Sequence, residues 1–396
     1  MAKHRTFNAD RFLDKLRGNE RILRAFVGKW RGRLDLEINS LTVDKFKAWL
    51  AKGTGVARDE ILEELYRAYD LCTEQGHDGL LAATHECGYD VDPEQKMPVE
   101  CLALKVCAEH EEAFGLACDR NSLSNAQRFS IYIGKSPTAI ARIQEKSQAY
   151  RARLSEAFKH YKNTDRVLVR YYSEGPTINC IVYHEKRVKA TLVFKQNKKS
   201  TMVRPTIFRP AQQDFLRYNQ ETGHLEVEAR NDVEEATLRR AFGVCFLEDP
   251  DFFDYPGANE CLALHAIADI HFRLTHPPGT TAKLVELHFC LDQEEEPFFP
   301  LRSKDVLRTL ELNGLREKLV GDQIARAVFK IWFSGEKRGK RVEIFGKNRV
   351  KFNRRAHADE VFKLLCDWGV LLGAEDLAEL RSEPFGAFGS AALKAS

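Results

Sequence analysis

Long hydrophobic runs are missing from this 396-residue chain. None approaches the roughly 20 residues that cross a bilayer, and the N-terminus is charged and amphipathic without an apolar signal core. A cytoplasmic protein with no membrane partner is the expectation. Phosphate-cradling glycine loops are missing as well: neither G-x-x-x-x-G-K-S/T nor a strand-linked G-x-G-x-x-G occurs, and Gly134-Lys135-Ser136 is too short to serve as one. ATP-driven motors and dinucleotide chemistry are thereby disfavoured, and no cofactor is expected. There is no G-x-S-x-G elbow, no H-E-x-x-H pair and no C-x-x-C knuckle. The ten cysteines stand at irregular spacings with no disulfide-like framework, so they read as buried free thiols.

What is present is an ordinary globular composition, 43% hydrophobic and 30% charged, on a chain longer than one hydrophobic core usually supports. Two or three domains are expected. Residues 1–160 carry apolar side chains at helical spacing, as in Phe12, Leu16, Ile22 and Phe26, or Ile61, Leu62, Leu65 and Tyr69, and read as an α-helical domain. Thr42 stands where a helix cap would, Gly53 and Gly55 punctuate, and Pro137 opens a helix that runs past Tyr150. Residues 161–300 read as an α+β domain. Arg166 to Tyr172, Thr177 to Tyr183 and Val188 to Phe194 form an antiparallel meander, followed by strands at Met202 to Phe208, Phe215 to Tyr218 and His224 to Glu228. Helices follow at Val233 to Phe246 and Glu260 to Leu274, then a strand at Leu284 to Leu291. Residues 301–396 read as a small module with helices near Lys304 to Leu312 and Gln323 to Phe329, a basic β-hairpin, a helix at Ala358 to Trp368 and a weakly ordered tail. The fold class is α+β.

Charge is segregated. The net charge is only +3, yet Met1 to Arg33 nets +7, Lys186 to Arg209 nets +8 with no acid, and Lys337 to Arg355 nets +8, leaving −20 on the other 320 residues. Clustered cations on an otherwise acidic protein suit a polyanionic partner. The third segment is the densest, with Lys337, Arg338, Lys340 and Arg341 at a hairpin turn and Lys347, Arg349, Lys351, Arg354 and Arg355 along and beyond the next strand. Val342, Ile344, Val350 and Phe352 alternate with these cations and mark the buried face. A helix beside such a hairpin resembles a winged-helix module in general architecture. The order, helix, helix, strands, helix, departs from one in which a recognition helix directly precedes the wing. In the central segment, Lys195, Lys198 and Lys199 accompany Phe194, Phe208 and Tyr183, a mixture that permits base stacking and is equally usual in a half-buried sheet.

Three groups carry donor chemistry at weaker spacing. Cys72, His77, His85, Cys87, Cys101, Cys107, His110 and Cys118 offer zinc-type donors without a ligand pattern. His265, His271, His276 and His288, with Glu260 and Asp269, form a second group, although His265 and His271 fall on different sides of a helix. Glu226 and Glu228 share a strand face and would suit a divalent metal in a nuclease, but Arg230 stands where a lysine would be wanted. No metal is expected. The sequence reading is a non-enzymatic, DNA- or RNA-binding protein that contacts phosphates through Lys337, Arg338, Lys340, Arg341, Lys347, Arg349, Lys351, Arg354 and Arg355, with Lys195, Lys198 and Lys199. The alternatives are a metal-dependent nuclease or hydrolase using Glu226 and Glu228 or the His265 group, and an assembly subunit whose cations meet a partner protein or a second copy.

Overall fold

A computed structural model describes residues 7–52, 55–89, 97–197, 200–290 and 297–373. The expected phosphate-contacting residues Lys198 and Lys199, Gly53 and the tail beyond 373 lie outside them. The chain divides into two units, Met1–Asn125 and Ala126–Ser396, whereas the sequence reading drew its boundaries near residues 160 and 300.

The first unit is helical: α1 (Ala9–Asp14), α2 (Glu20–Gly28), α3 (Val43–Lys52), α4 (Val56–Asp70), α5 (Glu74–Glu86), α6 (Val99–Glu109) and α7 (Glu111–Asn125). Side-chain caps begin several of them. The Thr42 hydroxyl accepts from Lys45 N at 3.3 Å, and that of Thr73 accepts from Gly76 N at 2.9 Å. Phe12, Leu16, Phe26, Phe46, Ile61 and Leu65 meet in one core, so the periodicity read from the sequence is the buried stripe.

The second unit is built on one antiparallel sheet of ten strands. Its elements are β1 (Arg128–Ile133), α8 (Ile143–Lys162), β2 (Val167–Glu174), β3 (Thr177–Glu185), β4 (Lys189–Asn197), β5 (Ser200–Phe208), β6 (Ala211–Asn219), β7 (His224–Glu228), α9 (Asp232–Leu247), β8 (Thr281–Cys290), β9 (Phe298–Arg302), α10 (Val306–Leu312), β10 (Ile324–Trp332), β11 (Lys340–Phe345), β12 (Arg349–Lys351) and α11 (Ala358–Asp367). The sheet order is β2-β3-β6-β7-β1-β12-β11-β10-β8-β9, with β4 and β5 paired only to each other. Two cores meet at β1. Tyr132 packs with α8, α9, β3, β6 and β7, while Ile131 and Ile133 pack with β8, β10, β11, β12 and α11.

Several expected elements take another form. β1 lies inside the stretch read as helical; Arg128 and Ser130 alternate with Phe129, Ile131 and Ile133, but the strand is only six residues long and begins just after the end of α7 at Asn125, where a helical reading runs on. The helix expected from Pro137 begins only at Ile143, because Thr138 N donates to the Tyr218 hydroxyl and Ile140 N to Gln220 Oε1, with Arg142 in the left-handed region at φ 54°. Glu260 to Leu274 is not a helix. Leu262 N and Ala263 N donate to Lys347 O and Val370 O, and the four consecutive residues Cys261 to Leu264 are all buried, leaving a single short 3-10 turn at Leu264–Ala268. Gln323 to Phe329 is mostly strand: register shifts at Ile324/Arg326 and Val328/Phe329 break the period of two that would have revealed β10. The meander is β2-β3 only, since β3 pairs next with β6. The C-terminal hairpin is built into the wide sheet, with β10 paired to β8 and β12 paired to β1.

Where the two cores join, Arg354 reaches across β1. It is 6% exposed, lies 3.8 Å from the centre of the Phe129 ring and hydrogen-bonds Glu226 on β7. Glu226 also faces Arg217 at 3.5 Å, and Arg217 Nε donates to Asn179 Oδ1 at 3.0 Å. Removing the charge from such a buried pair is expensive even when packing is kept. Arg354→Met is expected to lower stability by about 3 kcal/mol, against no more than about 0.5 kcal/mol for exposed Lys337→Ala, as urea unfolding of the full chain would show; equal effects would contradict this placement.

Candidate nucleic-acid interface

Charge partners separate the basic segments. At the N-terminus, Arg17 holds Asp14 and Asp44, and Arg33 holds Glu60. In the C-terminal hairpin, Arg341 bridges Glu286 at 3.0 Å and Glu343 at 3.1 Å, Lys351 faces Glu343 at 3.9 Å, Lys347 holds Glu260 at 2.5 Å and Arg349 holds Asp232 at 2.7 Å. Burial pushes the Glu286 carboxyl up, but hydrogen bonds from His288 and Arg341 outweigh it and hold the group down at about 2. Lys340 is turned inward to the carbonyls of Asn353 and Ala356, and burial lowers its pKa. Arg354 is internal, and Arg355 N caps back to Asn353 Oδ1. Lys337 and Arg338, at the turn, are exposed and have no carboxylate partner among the described residues. The nine expected hairpin residues thus divide into two exposed turn cations and a larger group tied into the sheet.

The central segment is arranged differently. β3 and β6 pair as far as Glu185↔Ala211, and between them β4 and β5 run out as a two-stranded ribbon from Lys189↔Phe208 to Asn197↔Ser200. The register gives it two chemistries. Lys189, Thr191, Thr206, Arg204 and Phe208 share one face; Ala190, Leu192, Pro205, Val203 and Ile207 share the other. Consecutive residues are exposed, among them Leu192 at 71% and Ile207 at 69%, so both faces are open. Lys186, Arg187, Lys189 and Arg204 have no carboxylate partner among the described residues. Lys195 stands opposite Met202 in the register.

At the foot of the ribbon is a basin of about 530 Å³. Its rim carries Lys186, Arg187, Lys189 and Arg230, and its floor Lys162, Gln212 and Glu234. Local structure aims each floor residue. Asn163, left-handed at φ 55°, ends α8 at Lys162; Asn231 caps α9 by accepting from Glu234 N at 2.9 Å and so sets Glu234 in the first turn; Gln212 and Asp214 occupy alternate positions on the core face of β6. Below the floor, His184 Nε2 is 2.7 Å from Asp214 Oδ2. Burial pushes the Glu234 carboxyl up, yet the hydrogen bonds from Lys162 and Gln212 prevail and leave it below its ordinary range. None of Lys162, His184, Gln212, Asp214 and Glu234 was picked from the sequence. The available signal was polar residues at the core-facing end of β3 and β6.

The other expected chemistry is dispersed. Glu226 is taken up by Arg354 and Arg217, and Glu228 lies in a separate small cavity of about 110 Å³ lined also by Ser130, Asp232 and Arg349. His265, His271 and His276 are exposed along an irregular stretch, whereas His288 is buried on β8 against Glu286. Cys101 and Cys107 are buried thiols of the helical core, and burial raises that of Cys101 to about 11. A second cavity of about 500 Å³ is lined by His276 and by His357, which lies between Glu336 and Glu360. No protein-family model matches the chain, and no curated protein matches it. Function must therefore be argued from the site itself.

Burial raises Glu228 to about 7 against the pull of Arg354 and of the Gln127 and Arg128 backbone N–H groups. A raised carboxyl stabilises the fold below its unfolded value of 4.5 and loses that contribution as pH rises through about 7. Glu228→Gln, which cannot ionise, is expected to gain about 2 kcal/mol over the natural chain between pH 5 and pH 8. Denaturation midpoints at the two pH values check this; a difference that does not change with pH would refute it.

Proposed function

We propose that the chain binds duplex nucleic acid, with the cationic face of the β4–β5 ribbon and the basin rim on the phosphates. One observation carries this reading: Lys189 and Arg204 on the exposed ribbon, and Lys186 and Arg187 on the basin rim at its foot, have no carboxylate to neutralise them among the described residues. A cation already paired in the protein must break that pair to take a phosphate; an unpaired one releases only counterions. A two-stranded ribbon is also a shape that the major groove of a B-form duplex, about 12 Å wide, admits. The hairpin turn, with Lys337 and Arg338, is a smaller second contact on this reading, and the paired hairpin strands contribute little.

The opposite ribbon face favours a second reading. Leu192, Val203 and Ile207 are exposed together, which supports contact with another polypeptide, a second copy of this chain included. Light scattering of the full chain at two salt concentrations tests it: self-association through this face persists at high salt and is lost with Leu192→Asp.

For the main reading, duplex affinity is measured against salt. Replacing Lys186, Lys189 and Arg204 together by Ala is expected to make the slope of log K on log salt shallower by about 3, since each phosphate contact contributes about 0.9. The same treatment of Lys347, Arg349 and Lys351 is expected to change it by less than about 1. A slope that the ribbon variant leaves intact, or that the hairpin variant removes, contradicts the proposal.

A further inference from the structure

We propose that the floor of the basin is a divalent-cation site, with Asp214, Glu234, His184 Nε2 and the Gln212 amide oxygen as ligands, and that the Lys162 ammonium, which holds Glu234, competes with the cation for that carboxylate. The donor atoms of His184, Asp214 and Glu234 all lie within 4.8 Å of one another. Ligands bound about 2.1 Å from one ion stand up to about 4.2 Å apart, so a small inward adjustment brings them to a shared centre. They come from β3, β6 and the first turn of α9, all packed on the same core, so the arrangement is held by the scaffold rather than by a loop.

Charge and hydrogen bonding both point to a missing ligand. Lys162 Nζ sits 2.6 Å from Glu234 Oε1 and 3.0 Å from His184 Nδ1, between two of the proposed ligands. A neutral imidazole accepting from this ammonium at Nδ1 and donating from Nε2 to Asp214 satisfies both contacts. The buried group then holds two carboxylates against one ammonium, a net charge of −1 in a place where unbalanced charge is costly. A divalent ion that takes the place of the Nε2 proton between His184 and Asp214, and draws Glu234 from the ammonium, balances the two carboxylates, and Lys162, which lines the basin, has open space to move into.

Gln212 supplies the independent observation. Its Nε2 donates to Asp214 Oδ1 at 2.7 Å and to Glu234 Oε2 at 2.6 Å, so both N–H groups are used and the orientation of the amide is settled. Its Oε1 is left without a partner, although the residue is only 6% exposed and lines the basin. A buried acceptor beside two carboxylates and an imidazole has the chemistry of a cation ligand. One nitrogen among oxygens suits Mn²⁺ or Zn²⁺ better than Ca²⁺ or Mg²⁺. The inference does not depend on nucleic-acid binding; if both hold, the ion lies beneath cations placed to bring a phosphate to it.

The test uses the full chain, stripped of metal and titrated calorimetrically with Mn²⁺ and with Zn²⁺ in the absence of nucleic acid. The expected result is one site per chain, weakened about tenfold or more by Asp214→Asn or Glu234→Gln and unchanged by Glu260→Gln. Lys162→Met, which removes the competing ammonium, is expected to bind at least about tenfold more tightly, with circular dichroism verifying that each variant is folded. The proposal is overturned if neither the natural chain nor Lys162→Met binds either ion more tightly than about 1 mM. It is equally overturned if binding is indifferent to both carboxyl substitutions.

Discussion

The Arg354–Glu226 pair lets a ten-stranded sheet with two cores hold together at its middle. Arg354 follows β12, Glu226 lies on β7, and β1 runs between them with Phe129 beneath the guanidinium. A lone guanidinium at this depth would be untenable; paired with Glu226, and through it with Arg217 and Asn179, it belongs to a polar line reaching from β12 to β3. The same requirement organises the far side of the sheet. Glu286 and Glu343 there are shared among Arg302, Arg326, Arg341 and Lys351. Where the sheet takes up cations, it supplies carboxylates to meet them.

That requirement also sets apart the cations that the sheet does not match. The β4–β5 ribbon leaves the sheet at Glu185↔Ala211 and has no core to support. Lys189 and Arg204 on it have no carboxylate partner among the described residues, and surface charge that a fold does not need is free to act on a partner. The basin at its foot combines both situations: unmatched cations at the rim, and a closed polar group below whose one unfilled position is the Gln212 oxygen.

Much of this was legible in local patterns. The helical stripes of the first unit, the strands from β2 to β7, α9 and α11 follow from apolar period, and the β6–β7 turn from Asn219 and Gly223, where Asn219 Oδ1 accepts from Glu221 N and Thr222 N and Gly223 takes φ +70°. What was not legible is non-local. β1 is too short to stand out beside the helical stripe that precedes it, and β10 loses its alternation through bulges. The dense charge of Lys337 to Arg355 suggested a binding surface because its acids are far away in sequence: Asp232 for Arg349, Glu260 for Lys347, Glu226 for Arg354. The basin floor gathers Lys162, His184, Gln212, Asp214 and Glu234 from four elements, so no spacing could announce it.

The central claim is that ion pairing within the protein decides which cations are available. Lysine acetylation of the full chain, read by mass spectrometry with and without saturating duplex, tests it most directly. The account predicts strong protection of Lys186 and Lys189 on binding, with little change at Lys347 and Lys351. Protection of Lys347 and Lys351 with Lys186 and Lys189 left reactive would contradict it.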